Sequence, residues 1–95
     1  MTVKMYSVRD RLAESFGSPH MAENDQVAKR SFAVVVNDPG NRVSDNPGDY
    51  ELYYVGSFDI DKGILEPPKE TGLPVLVCGA MSLVRDNQVP LEGEE

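Results

Sequence analysis

The sequence predicts an α+β domain in which one amphipathic helix lies on a small antiparallel sheet of about four strands. Three observations carry that expectation. Residues 25–36 repeat apolar side chains at helical spacing behind an asparagine cap, Tyr50–Ile60 alternates at the period of a strand, and Asp61-Lys62-Gly63 turns that strand back on itself.

Val3, Met5 and Tyr6 interleave with polar neighbours, so Val3–Val8 reads as a short strand of imperfect alternation. Arg9–His20 holds Gly17 and Pro19 among scattered polar residues; it reads either as a loop or as a short second strand around Phe16 that leads into a turn. Asn24 is placed to cap a helix, because its side-chain oxygen accepts from N–H groups that the first turn leaves without partners. Asp25 then sits beside the positive end of the helix dipole. From Asp25 to Val36, the residues Ala28, Phe32, Val35 and Val36 fall at i, i+4, i+7 and i+8 and form one apolar stripe, with Lys29 and Arg30 off it. Asn37-Asp38-Pro39-Gly40 ends the helix, since proline cannot extend the hydrogen-bond ladder, and a second polar turn follows at Ser44–Gly48.

Tyr50–Ile60 is rich in aromatic and β-branched residues. Period two places Tyr50, Leu52, Tyr54, Gly56, Phe58 and Ile60 on one face, the expected core face, and leaves Tyr53 on the other. After the turn, Ile64-Leu65 begins a return strand that Pro67-Pro68 cuts short, and Pro74–Val84 reads as a strand through Val75, Leu76 and Val77 followed by a bend at Gly79-Ala80. Ninety-five residues suit one domain, assigned to residues 1–85, with the acid-rich 86–95 as a flexible tail. An exposed edge of Tyr50–Ile60 or of Val75–Val77 is expected to pair with its copy in another chain, which predicts a homo-oligomer.

The net charge of −7 is unevenly spread. Residues 1–42 carry six bases against five acids, whereas residues 43–95 carry three against eleven. A polyanion is therefore expected to approach the N-terminal half, and the acidic total argues against strong, sequence-independent nucleic-acid binding by a monomer. Cys78 is the single cysteine, so no internal disulfide forms and a reducing compartment is expected. The longest apolar runs, Ala33–Val36 and Leu73–Cys78, are too short to cross a bilayer, and no membrane partner is expected.

Catalytic constellations are hard to build from these residues. Asp59, Asp61 and Glu70 have the spacing of the acidic ends of a calcium loop, but Ile64 stands where such a loop needs glycine and Pro67-Pro68 follows. His20 is the only histidine, which removes paired-histidine metal sites, and Cys78 lies in an apolar run where a thiol acts as a small hydrophobe. The glycines form no phosphate-binding loop. The expectation is a protein with no catalytic residues, no metal and no cofactor, which acts by binding and not as an enzyme.

The motif N-x-x-V-A-x-R-x-F at Asn24–Phe32, V-N-D-P at Val36–Pro39, and N-P-x-D-Y-x-L-Y-x-V-G-x-F-D at Asn46–Asp59, closed by Gly63, together follow a familiar order. Over roughly residues 3–65 the chain resembles the small nonstructural protein of gokushovirus-type microviruses, phages with circular single-stranded DNA genomes. The resemblance implies a protein made in the host bacterial cytoplasm, absent from the mature shell, with a role in viral DNA replication or in the switch to single-stranded genome synthesis. It implies no catalytic residue.

Single-stranded DNA stacks its bases on exposed aromatics while Lys and Arg hold its phosphates. The candidate interface is therefore Arg9, Arg11, Lys29, Arg30 and Tyr53; Tyr6 is a second aromatic candidate, and Arg30 stands out as a helix-surface cation inside the shared motif. The rival reading is an acidic interaction module, in which residues 43–95 dock a basic host or viral replication protein.

Overall fold

The computed structural model describes residues 1–85, so the tail assigned to 86–95 lies outside the described residues. Two long strands form the spine. β1 (Thr2–Asp10) and β4 (Tyr50–Asp59) run antiparallel along their whole length, from Thr2 opposite Asp59 to Asp10 opposite Tyr50. Short strands flank this pair on both sides: β2 (Ser15–Phe16) and β3 (His20–Ala22) pair with β1, while β5 (Ile64–Glu66) and β6 (Val75–Gly79) pair with β4.

The sheet thus has six strands where about four were expected. The additional pairing comes from the polar stretch after β1, which folds back on it. Asp10 Oδ1 accepts from the backbone N–H groups of Leu12 and Ala13 at 3.0 and 3.1 Å, Glu14 adopts φ 56°, and Gly17 N–H donates to the Val8 carbonyl at 2.8 Å. Short side chains that bond their own backbone turn the chain without any apolar periodicity, so the sequence leaves this stretch open between a loop and the short strand around Phe16 that forms as β2, and gives no sign of β3.

The helix α1 (Asp25–Asn37) begins as expected, with the Asn24 side chain accepting from Val27 N–H at 2.9 Å. Its buried residues are Ala28, Phe32, Ala33 and Val36. Val35, expected in the stripe, is 42 % exposed. The buried arc is rotated toward Ala33 because a 3₁₀ turn at Ala80–Leu83 packs on that flank, where Asn37 Nδ2 donates to the carbonyls of Ala33 and Leu83 at 2.7 and 2.9 Å. Beyond Pro39-Gly40, the second polar turn is a single helical turn, α2 (Arg42–Asp45), with a reciprocal cap between Asn41 and Ser44, followed by a 3₁₀ turn at Pro47–Asp49.

The core joins Tyr6 and Leu52 of the sheet to Ala28, Phe32 and Val36 of α1 and to Ala80. Tyr6, a stacking candidate in the sequence, is fully buried here, and its hydroxyl donates to Asp25 Oδ1 at 2.6 Å. That bond ties the sheet to the first turn of the helix.

A β-bulge corrects the predicted face of β4. Opposite Met5-Tyr6 the register steps from Gly56 to Tyr54, so Val55 is an extra residue and the alternation shifts by one. Tyr50, Leu52 and Tyr54 face the helix as expected, but beyond the bulge Ser57 takes that side and Gly56 and Phe58 take the other. Gly56 makes this possible: its φ is 144°, and a β-carbon there would overlap the Glu66 carbonyl of the neighbouring strand. The same topology removes Tyr50–Ile60 as an exposed edge, because β4 has neighbours on both sides; of the two predicted edges only that of β6, which pairs with β4 alone among the described residues, is left.

Candidate nucleic-acid interface

The side of the sheet facing away from α1 has no covering layer among the described residues. Strand alternation sends Val3, Met5, Ser7 and Arg9 of β1 to this open side, and the register sets Phe58 beside Val3, Met21 beside Met5, Tyr53 beside Ser7, and both Glu51 and Phe16 beside Arg9. Leu65 and Leu76 extend the surface from β5 and β6. None of these apolar side chains belongs to the core cluster, and Phe16, Met21, Leu65 and Leu76 are exposed.

One end of the open side combines aromatic rings with a cation. The Arg9 guanidinium lies over the Phe16 ring at 5.7 Å, and Phe16 meets the Tyr53 ring edge-on at a centroid distance of 5.2 Å and an angle of 74°. Beneath them the Ser7 hydroxyl donates to the Gly17 carbonyl at 2.7 Å, which anchors the segment that carries Phe16. Tyr53 is further oriented by a long bond from its hydroxyl to Glu51 Oε1 at 3.3 Å.

The five predicted residues fall into two groups. Arg9 and Tyr53 share the open side, and Arg11 follows immediately beyond β1, where its guanidinium donates to the Gly48 carbonyl at 3.0 Å. Lys29 and Arg30 lie on α1, on the other side of the sheet, where they border a shallow groove with Gln26, Ala33 and Leu83. The structure does not bring the two groups together. Among the described residues none of the four cations lies within ion-pair distance of a carboxylate, the only ion pairs being those of the N-terminal ammonium with Asp59 and Asp61, although Glu51 stands opposite Arg9 in register. Phe16 was missed. Its signal was a lone aromatic in a polar stretch, where no core periodicity calls for one.

Comparison with known proteins adds one finding to this geometry. A family model described as Phage ORF5 protein matches residues 3–83, which takes in β1 from its second residue, the other five strands and both helices. The chain belongs to this family. It is therefore a phage protein, in agreement with the resemblance at that level. Comparison with curated proteins and with solved structures finds no significant match.

Elsewhere on the chain the chemistry is sparse. Burial raises the pKa of the Cys78 thiol above its ordinary value, with nearby Lys29 and Ser82 opposing, so the thiol is held protonated. Among the described residues no group of three or more His, Cys, Asp or Glu side chains converges to hold a metal, and no helix is long and apolar enough to cross a membrane.

Proposed function

We propose that this protein is a nonstructural accessory protein of a microvirus-type phage, acting in the host bacterial cytoplasm in viral DNA replication or genome single-strand synthesis through weak binding of single-stranded DNA on the open side of its sheet. The observation that carries the reading is the Arg9–Phe16–Tyr53 cluster: two adjoining rings and a cation that forms no ion pair among the described residues, on a sheet surface that no other described layer covers. Bases stack on such rings without regard to sequence while Arg9 and Arg11 hold phosphates. Weakness follows from the charge, since a net charge of −7 opposes the approach of a polyanion. Lys29 and Arg30, on the far side, take no part in a strand bound across the open side. The action is binding and not catalysis.

Self-association strengthens the same reading, because a second copy paired along the β6 edge doubles the number of rings and cations. Fluorescence anisotropy with a labelled oligothymidylate tests both ideas. Two phosphate contacts per strand give a log–log salt slope of roughly −1.4, and a dimer that engages both copies gives roughly −2.8. No binding at low or moderate salt by the assembled protein removes the proposal.

A second reading has its own support. Met5, Met21, Leu65 and Leu76 make the rest of the open side apolar, which suits a host or viral replication protein better than a phosphate backbone. Nuclease treatment separates the two: a replication protein that stays bound to the open side after digestion favours docking.

A further inference from the structure

The helix side of the sheet holds a concavity that neither reading uses. Lys4, Tyr54, Ser57 and Val75 face this side by register, and the segment after β5 folds over them, with Pro68 buried in its wall. The space enclosed is about 420 Å³, bordered by Thr2, Lys4, Tyr54, Ser57, Lys69 and Glu70 among others.

Its chemistry differs from that of the acidic half around it. Two lysines and one glutamate line it, with Glu66 opposite Ser57 in register beside them, and neither Lys4 nor Lys69 forms an ion pair among the described residues. Lys4 Nζ instead lies 5.7 Å from the centroid of the Tyr54 ring. Ser57 is only 9 % exposed, yet its hydroxyl makes no hydrogen bond among the described residues. Buried hydroxyls find partners, so this one calls for an acceptor that the described residues do not supply. Water would satisfy the hydroxyl alone; the two lysines are what select an anion over water.

We propose that this concavity binds a phosphate group, with Lys4 and Lys69 balancing its charge, the Ser57 hydroxyl donating to one of its oxygens, and the Tyr54 ring offering a stacking surface to a base carried on the same phosphate. The ligand class is a nucleotide phosphate, either a free mononucleotide or a residue of a nucleic-acid strand. The site lies on the opposite side of the sheet from Arg9, Phe16 and Tyr53, so it stands or falls separately from binding on the open side.

Amide-resolved NMR titration of the full chain tests the proposal with three probes: inorganic phosphate, deoxythymidine monophosphate and oligothymidylate. Saturable shifts at Lys4, Tyr54, Ser57 and Lys69–Thr71 with the first two are expected. Lys4→Gln and Lys69→Gln, both at exposed positions, should each weaken deoxythymidine monophosphate about tenfold, Ser57→Ala roughly fivefold, and Glu70→Gln should tighten it. If the oligonucleotide also shifts these amides, the phosphate comes from a strand; if it shifts only Arg9, Phe16, Tyr53 and their neighbours, the ligand is a free nucleotide. Failure to saturate below roughly 10 mM, or binding that Lys4→Gln and Lys69→Gln leave unchanged, overturns the site.

Discussion

The two sides of a single sheet are treated very differently in this molecule. On the helix side, Tyr6 and Leu52 are fully buried, whereas on the open side Phe16, Met21, Leu65 and Leu76 remain between 43 and 66 % exposed. Alternation along the strands supplies apolar residues to both sides, but one main helix covers only one of them. Apolar residues on the covered side are accounted for by the core. Those on the uncovered side contribute little to the fold, and a contiguous exposed apolar surface is where partners bind.

Substituting the same residue type on each side breaks or sharpens this contrast most strongly. Leu52→Ala should cost about 3 kcal/mol by urea denaturation, because it removes a fully buried side chain and leaves a cavity. Leu65→Ala and Leu76→Ala should each cost less than about 0.5 kcal/mol. Equal losses on the two sides would mean that something covers the open side.

The bulge that switches which residues of β4 face each side is the next point to test. Gly56→Ala forces a β-carbon against the Glu66 carbonyl at a φ that alanine disfavours, and should destabilise by about 2–3 kcal/mol. Chemical shifts of β5 should move with it, since Ser57, Phe58 and Asp59 set the pairing of that strand.

A smaller effect follows from the bond between sheet and helix. Burial first, and then the hydrogen bond to Asp25, hold the Tyr6 phenol above its ordinary value of 10.0. The folded state keeps this proton at a pH where the unfolded chain has begun to lose it. The associated stability is complete below about pH 10 and declines as pH rises beyond that value. Tyr6→Phe should cost about 1 kcal/mol near neutrality and remove that part of the alkaline decline, as read from denaturation at pH 8 and above pH 10.

Elements whose cause is local were readable from the sequence. Asn24 caps α1, Pro39-Gly40 follows its end, and the Asp59–Gly63 turn closes with Asp59 Oδ1 accepting from Asp61 and Lys62 N–H groups at 2.9 and 3.2 Å. A strand around Phe16 was one of two readings the sequence left open, and β2 settles it. Three things were not readable: β3 depends on tertiary pairing with β1, the bulge at Val55 on the register with β1, and the burial of Ala33 in place of Val35 on the Ala80–Leu83 turn. The candidate interface shared that fate. Arg9, Arg11 and Tyr53 lie near one end of β1 and β4, but only the pairing of Arg9 with Phe16 reveals a cluster, and only the placement of α1 separates Lys29 and Arg30 from it.

The central claim is that the open side, and not the helix, carries the contact with single-stranded DNA. Oligothymidylate anisotropy with a Phe16→Ala/Tyr53→Ala variant and a Lys29→Gln/Arg30→Gln variant, both at low salt, tests it most directly. Losing two stacking rings should weaken binding by about 2 kcal/mol or more, while the helix variant should bind as the parent does. A helix variant that loses binding while the ring variant keeps it would contradict the account.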